Sequence, residues 1–152
     1  MIKKEVPGLN RTIHATNTWL SAIADEIGRE DAQVAYHALR GTLFATRDRL
    51  PVTEAMDLAA QLPTLIRGVY FEGYKTTDKP QSHRDRDTFL GRVQDELEVT
   101  NGANPEVAAR AVFTVMNNHI SAGEIEDVRQ MLPDAVRALW PAPEGEPEGA
   151  VT

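Results

Sequence analysis

The residues best equipped for chemistry or recognition sit in two adjoining stretches of the chain. The first, Arg67-Gly68-Val69-Tyr70-Phe71-Glu72-Gly73-Tyr74, puts three aromatic rings within five residues, beside an arginine and a glutamate. Tyrosine and arginine are enriched at the residues that dominate protein interfaces. The pattern predicts a partner-binding patch built from Arg67, Tyr70, Phe71, Glu72, Gly73 and Tyr74. The competing reading is structural: a helix end whose aromatics close a core, with Arg67 on a local carboxylate and Glu72-Gly73 marking a left-handed turn. Gly68 would then allow close helix approach, or a ligand. The second stretch, Lys75 to Arg86, is longer than a usual helix–helix connection. Its Lys79, His83, Arg84 and Arg86 form a candidate anion site. The alternative is a solvated connector.

Other chemistry finds little support. There is no cysteine, so disulfides, thiolate metal sites and Cys nucleophiles are excluded. His14, His37, His83 and His119 have no metal-like spacing, and no HExxH, P-loop or nucleophile elbow is present. Glu124-Ile-Glu126-Asp127 lacks the pattern and central glycine of a calcium loop. Asp25-Glu26 and Asp95-Glu96 would make a carboxylate site only if two parts of the chain met face to face. Hence no catalytic residue, metal ligand or cofactor is assigned, and an enzyme is disfavoured.

The net charge is −7 over 152 residues. Three of those charges fall in residues 142–152 and four in residues 89–141, so the rest of the chain is balanced. Nucleic-acid binders draw affinity from a basic face, and only Lys3-Lys4 and the connector offer one. Nucleic acid is not expected as a partner. No apolar run approaches the ~20 residues that span a bilayer, and the N-terminus lacks a signal-peptide core. The expectation is a soluble cytoplasmic protein with an unknown protein partner or a homo-oligomer. The Pro-, Gly- and Glu-rich stretch 141–152 reads as a disordered acidic tail.

The elements that must hold these residues are helices. Shifting the chain by 70 positions aligns Trp19–Tyr70 with Phe89–Trp140 without a gap, with ten identities. Among them are Glu54/Glu124, Asp57/Asp127, Pro63/Pro133 and Arg67/Arg137. Average composition would give about three. The reading is all-α: two tandem four-helix units related by the 70-residue repeat and packed as one pseudo-symmetric globule. The divisions are 1–11 (N-terminal extension), 12–74 (unit 1), 75–86 (linker), 87–140 (unit 2) and 141–152 (tail).

In the first helix Ile13, Leu20, Ile23 and Ile27 share a face, and Gly28 ends it. Its counterpart carries Phe89, Leu90, Val93 and Leu97, with Asp87 or Thr88 as N-cap. Asn104-Pro105 opens the second helix of unit 2. Ser121-Ala-Gly-Glu124 fits a capping box, and the two Leu-Pro corners separate the third and fourth helices. Arg40 and Arg110 are expected to pair with Asp25, Glu26 or their counterparts. Tyr70 and Trp140 are expected near the interface of the units.

The run from Arg47 to Tyr74, with Arg-Asp-Arg-Leu50, Gln61-Leu-Pro63, Leu65-Ile-Arg-Gly68 and Tyr70-Phe-Glu-Gly-Tyr74, resembles the core pattern of the prokaryotic family known as domain of unknown function 2267. Thr16-Asn-Thr-Trp-Leu20 and Phe89-Leu-Gly-Arg-Val93 also resemble it, and the likeness covers about residues 12–140. Tyr74 stands where the family often has Trp. Unit 2 diverges, with Trp140-Pro141 in place of the aromatic run. The resemblance implies an all-α tandem fold with an association to stress physiology, and no established activity. The functional expectation is a non-enzymatic protein-interaction protein. The alternative is a small-molecule or metal sensor using the cleft between the units.

Overall fold

The structure, a computed structural model, describes residues 5–100 and 102–143. Lys3-Lys4 and nearly all of the tail, 144–152, lie outside the described residues. Among the described residues there are eight α-helices and no strand. They are α1 (Pro7–Ile27), α2 (Ala32–Arg47), α3 (Val52–Ala60), α4 (Thr64–Tyr70), α5 (Arg86–Leu97), α6 (Pro105–His119), α7 (Ala122–Met131) and α8 (Asp134–Arg137).

Local signals explain the boundaries. Gly28, at φ 84°, ends α1 in the left-handed region. Asp31 caps α2 by accepting from the amides of Gln33 and Val34, and Asn104 caps α6 in the same way. The cap of α5 is Asp85, which accepts from the Thr88 amide, rather than Asp87 or Thr88. The Ser121 box forms only by half. Ser121 Oγ accepts from the Glu124 amide, but the Ser121 amide donates to Gln61 Oε1 and the Glu124 carboxylate turns elsewhere. Pro63 and Pro133 each stand immediately before a short helix, α4 and α8.

One continuous core runs through both halves. Trp19 and Ile23 of α1, Leu39 and Leu43 of α2, Phe89 and Val93 of α5, and Val112 and Phe113 of α6 all belong to it. Burying such side chains contributes about 1.5–3 kcal/mol each. The buried face of α1 is Thr16, Trp19, Ile23 and Ala24. Ile13, placed by periodicity on the same face, is 51% exposed. The N-terminal turns of α1 extend past the core, so the apolar pattern there has nothing to cover it among the described residues.

Helix α2 packs tightly on α5, and the contact depends on Gly41. A Cβ at that position would lie 3.0 Å from both the Cα and the carbonyl oxygen of Val93. Gly68, by contrast, has open space where a Cβ would be, so it permits no close packing.

Tyr70 and Trp140 are both buried. The Tyr70 hydroxyl donates to the Ala55 carbonyl at 2.8 Å. The Trp140 indole donates to Asn117 Oδ1 at 2.7 Å and its ring stacks on Phe113 at 4.1 Å. Two arginines also do equivalent work. Arg67 Nε donates to the Ala59 carbonyl (2.8 Å) and Nη2 to that of Leu62 (3.0 Å). Arg137 Nε donates to the Arg129 carbonyl (2.8 Å) and Nη2 to that of Leu132 (3.0 Å). Both bind carbonyls at a helix end and its Leu-Pro corner; those of Ala59 and Arg129 also accept from the amides of Leu62 and Leu132.

Candidate functional site

The C-terminal end of α2 is a cluster of cations folded onto the connector. Arg47 is 3% exposed, and its Nη1 donates to the carbonyls of Tyr70 and of Glu72, the latter at 2.7 Å. Those two bonds fix where the chain leaves α4. Asp48 then takes Arg47 Nε at 3.3 Å and Lys79 Nζ at 3.8 Å, and its carbonyl accepts from the Gln81 amide at 2.8 Å. The Tyr74 ring lies near both cations, 5.5 Å from the Arg47 guanidinium and 5.6 Å from the Lys79 ammonium. The connector is thereby held against α2.

These contacts locate the residues of the predicted patch. Arg67 is committed to helix-end carbonyls. Tyr70 is fully buried, and burial pushes its hydroxyl above the ordinary tyrosine range. Phe71 and Tyr74 are half-buried, while Glu72 and Gly73 are exposed. Glu72 reaches Arg40 Nη1 at 2.6 Å. Phe71 and Tyr74 meet edge to face at 5.9 Å. The patch thus divides into a buried part (Tyr70), a structural part (Arg67) and a partly exposed part (Phe71–Tyr74).

The connector cations divide too. Lys79 is taken by Asp48, and Arg86, in the first turn of α5, is paired with Glu106. His83 and Arg84 are exposed, with no ion pair among the described residues.

Arg40 pairs as expected and Arg110 does not. Arg40 bonds Glu96, the counterpart of Glu26, at 2.8 Å, and also Glu72. Burial opposes its charge, but the bonds to Glu96, Glu72 and Tyr36 outweigh it and raise its affinity for the proton. Arg110 pairs with Glu106 one turn back on its own helix, at 3.0 Å. Equal sequence positions here meet different neighbours.

Two features escaped the sequence reading. The first is a cavity of about 340 Å³ between the end of α2, the connector and α5, walled by Arg49, Gln81, Thr88, Gly91, Arg92 and Asp95. Arg49 is 3% exposed; one of its nitrogens bonds the Ala45 carbonyl at 2.8 Å, and its buried Nε has no partner among the described residues. Burial lowers the proton affinity of Arg47 and Arg49; Asp48 opposes this for both, and the nearby charge of Arg92 adds to it. The signal was the Arg47-Asp48-Arg49 run at a helix end, two cations sharing one carboxylate.

The second is a meeting of carboxylates where α3 packs on α7. Ligand atoms of Glu54, Asp57 and Glu124 lie within 4.8 Å of one another. One oxygen each of Glu54 and Glu124 is buried without a hydrogen-bond partner among the described residues. Burial, then the closeness and charge of Glu54, then Asp57 and Asp127, push the Glu124 carboxyl up to about 7. The carboxylate junction is therefore at α3–α7, not at Asp25-Glu26 and Asp95-Glu96. The signal was present: Glu54/Glu124 and Asp57/Asp127 are identical pairs at one offset.

No helix among the described residues is long and apolar enough to cross a membrane. No curated protein matches the sequence. The sequence matches a family described as "Uncharacterized conserved protein (DUF2267)" over residues 16–139, from within α1 to beyond α8. The chain belongs to the DUF2267 family.

Proposed function

We propose that this is a non-enzymatic, cytoplasmic interaction protein of two tandem four-helix units, 12–74 and 87–140, whose working surface is the seam crossed by the connector 75–86. The observation that carries the reading is the docking of the connector. Arg47 and Asp48 hold it by the bonds to Glu72, Lys79 and Gln81. Phe71 and Tyr74 stand half-open beside it, with exposed His83 and Arg84 further along. Ordering a connector has an entropic cost. A fixed surface then binds without meeting that cost again. Its exposed cations suit an acidic protein surface. The two-unit architecture is supported by the ten identities at offset 70 and by the matching bonds of Arg67 and Arg137.

The test is capture of partners from the native host by the full-length chain and by a His83→Glu/Arg84→Glu variant. Neither side chain has a bond among the described residues, so the variant is expected to fold. Loss of specific partners on charge reversal is the predicted result. Recovery of the same partners in the same amounts removes this surface from consideration.

A second reading, a small-molecule sensor in the cleft between the units, has its own observation. The cavity of about 340 Å³ draws Arg49 from one proposed unit, Gln81 from the connector and Arg92 from the other. That is within the usual range of ligand pockets.

A further inference from the structure

We infer that the cavity between α2, the connector and α5 binds a small ligand through a phosphate group that retains one proton, held by Arg49 and Arg92 and read by Asp95. The inference deepens the sensor reading and shares only the connector with the partner-binding one.

The wall is built for an anion. Arg49 contributes to it although the residue is almost wholly buried, and its Nε is unpartnered among the described residues. Arg92 is half-buried and makes no ion pair among the described residues; its guanidinium lies 5.0 Å from the centre of the Phe44 ring. Arg47 adds a third guanidinium close by, but its charge is already shared with Asp48. The guanidiniums of Arg49 and Arg92 repel each other and Arg49 is poorly solvated, which the charges of Asp48 and Asp85 offset only in part. An oxyanion between them relieves both problems, and the guanidinium fork matches two oxygens of a phosphate. Gln81 adds an amide at the rim, and Gly91 leaves open space beside it.

Asp95 decides which oxyanion fits. A carboxylate on the wall repels a fully ionised guest, such as sulfate. A phosphate monoester keeps a hydroxyl in part of its population near neutral pH, because its second ionisation lies near pH 6, and inorganic phosphate keeps one throughout. That hydroxyl donates to Asp95 while the other oxygens accept from the arginines. A free carboxylate ligand has no such proton at neutral pH. Charge-assisted bonds of this kind are about twice as strong as neutral ones. The expected preference for phosphate over sulfate is about tenfold.

The experiment titrates the full-length chain with inorganic phosphate, with sulfate and with acetate at matched ionic strength and pH 6.5. Calorimetry is read together with NMR shifts of the Gln81 side-chain amide and the Gly91 backbone amide. Predicted are saturable phosphate binding with shifts at both groups, sulfate about tenfold weaker, and acetate weaker still. Arg92→Ala abolishes the saturable signal. Asp95→Asn brings sulfate level with phosphate. Titration of the wild-type chain with no saturable shift at Gln81 or Gly91 overturns the proposal whatever the variants do. So does unchanged phosphate binding in a folded Arg92→Ala. If Asp95→Asn leaves the preference intact, the reading of Asp95 is wrong. None of these results alters the partner-capture comparison at His83 and Arg84, so the two proposals fail separately.

Discussion

Gly41 is the residue on which the α2–α5 contact turns. A methyl group there would sit 3.0 Å from Val93 backbone atoms, which have no rotamer by which to yield. Gly41→Ala is therefore expected to destabilise the fold by a net of about 1 kcal/mol, since overpacking costs about 1–3 kcal/mol against the roughly 1 kcal/mol that Ala normally gains over Gly in a helix interior. A shift of the urea midpoint to lower concentration checks this; a rise would show that the helices separate freely. Gly41 could not be singled out from sequence, because a glycine inside a helical pattern looks alike whether it faces solvent or a neighbouring backbone. Gly68 shows the opposite error: it read as a close-approach glycine and faces open space.

At the scale of elements, the α3–α7 contact makes stability depend on pH. Glu124 is raised from an ordinary 4.5 to about 7 by burial first and by Glu54, Asp57 and Asp127 after that. The folded state thus binds this proton more tightly than the unfolded chain. The contribution is full below pH 4.5 and is lost as pH rises through 7. Solvent screening at this half-buried position reduces it to about 1 kcal/mol. Glu124→Gln is expected to be more stable than wild type at pH 8 and to lose the difference near pH 5, as read by thermal melts across that range. A wild-type melting temperature that does not fall relative to Glu124→Gln between pH 5 and 8 would contradict the carboxyl pairing.

A second test at this scale concerns the arginines that cap α3 and α7. Arg67→Ala and Arg137→Ala each remove charged bonds to helix-end carbonyls, expected to be worth about 1.5–3 kcal/mol, and the two losses should agree within about 1 kcal/mol. Strongly unequal midpoints would weaken the two-unit reading. Most helix boundaries were legible in sequence because caps and prolines are local: Gly28, Asn104 and the two Leu-Pro corners act within a few residues. The cap at Asp85 and the half-formed box at Ser121 were not. In the first case several adjacent residues were competent; in the second, a partner 60 positions away, Gln61, took the free amide.

For the whole molecule, a shared core implies shared unfolding. Trp19 and Trp140 lie in different halves but in one cluster of buried side chains. In Trp19→Phe and Trp140→Phe variants, the remaining tryptophan should report the same urea transition as far-ultraviolet circular dichroism. Separate transitions would mean that the halves fold independently. The all-α class was readable because it rests on many positions at once. The site was only partly readable. Arg67, Tyr70 and the connector cations were chosen by type, and type does not reveal that Arg67 is spent on carbonyls or Arg86 on Glu106. Arg49 and Arg92 were missed because they lie 43 positions apart in the chain and meet only through the packing of α2 on α5.

The central claim is that the seam under the connector is the working surface. Hydrogen exchange of the full-length chain, measured by mass spectrometry with and without a captured partner, tests it most directly. The account predicts added protection confined to residues 71–95, covering the turn after α4, the connector and most of α5. Protection confined to α1 or to α3 and α7, with 71–95 unchanged, would contradict it.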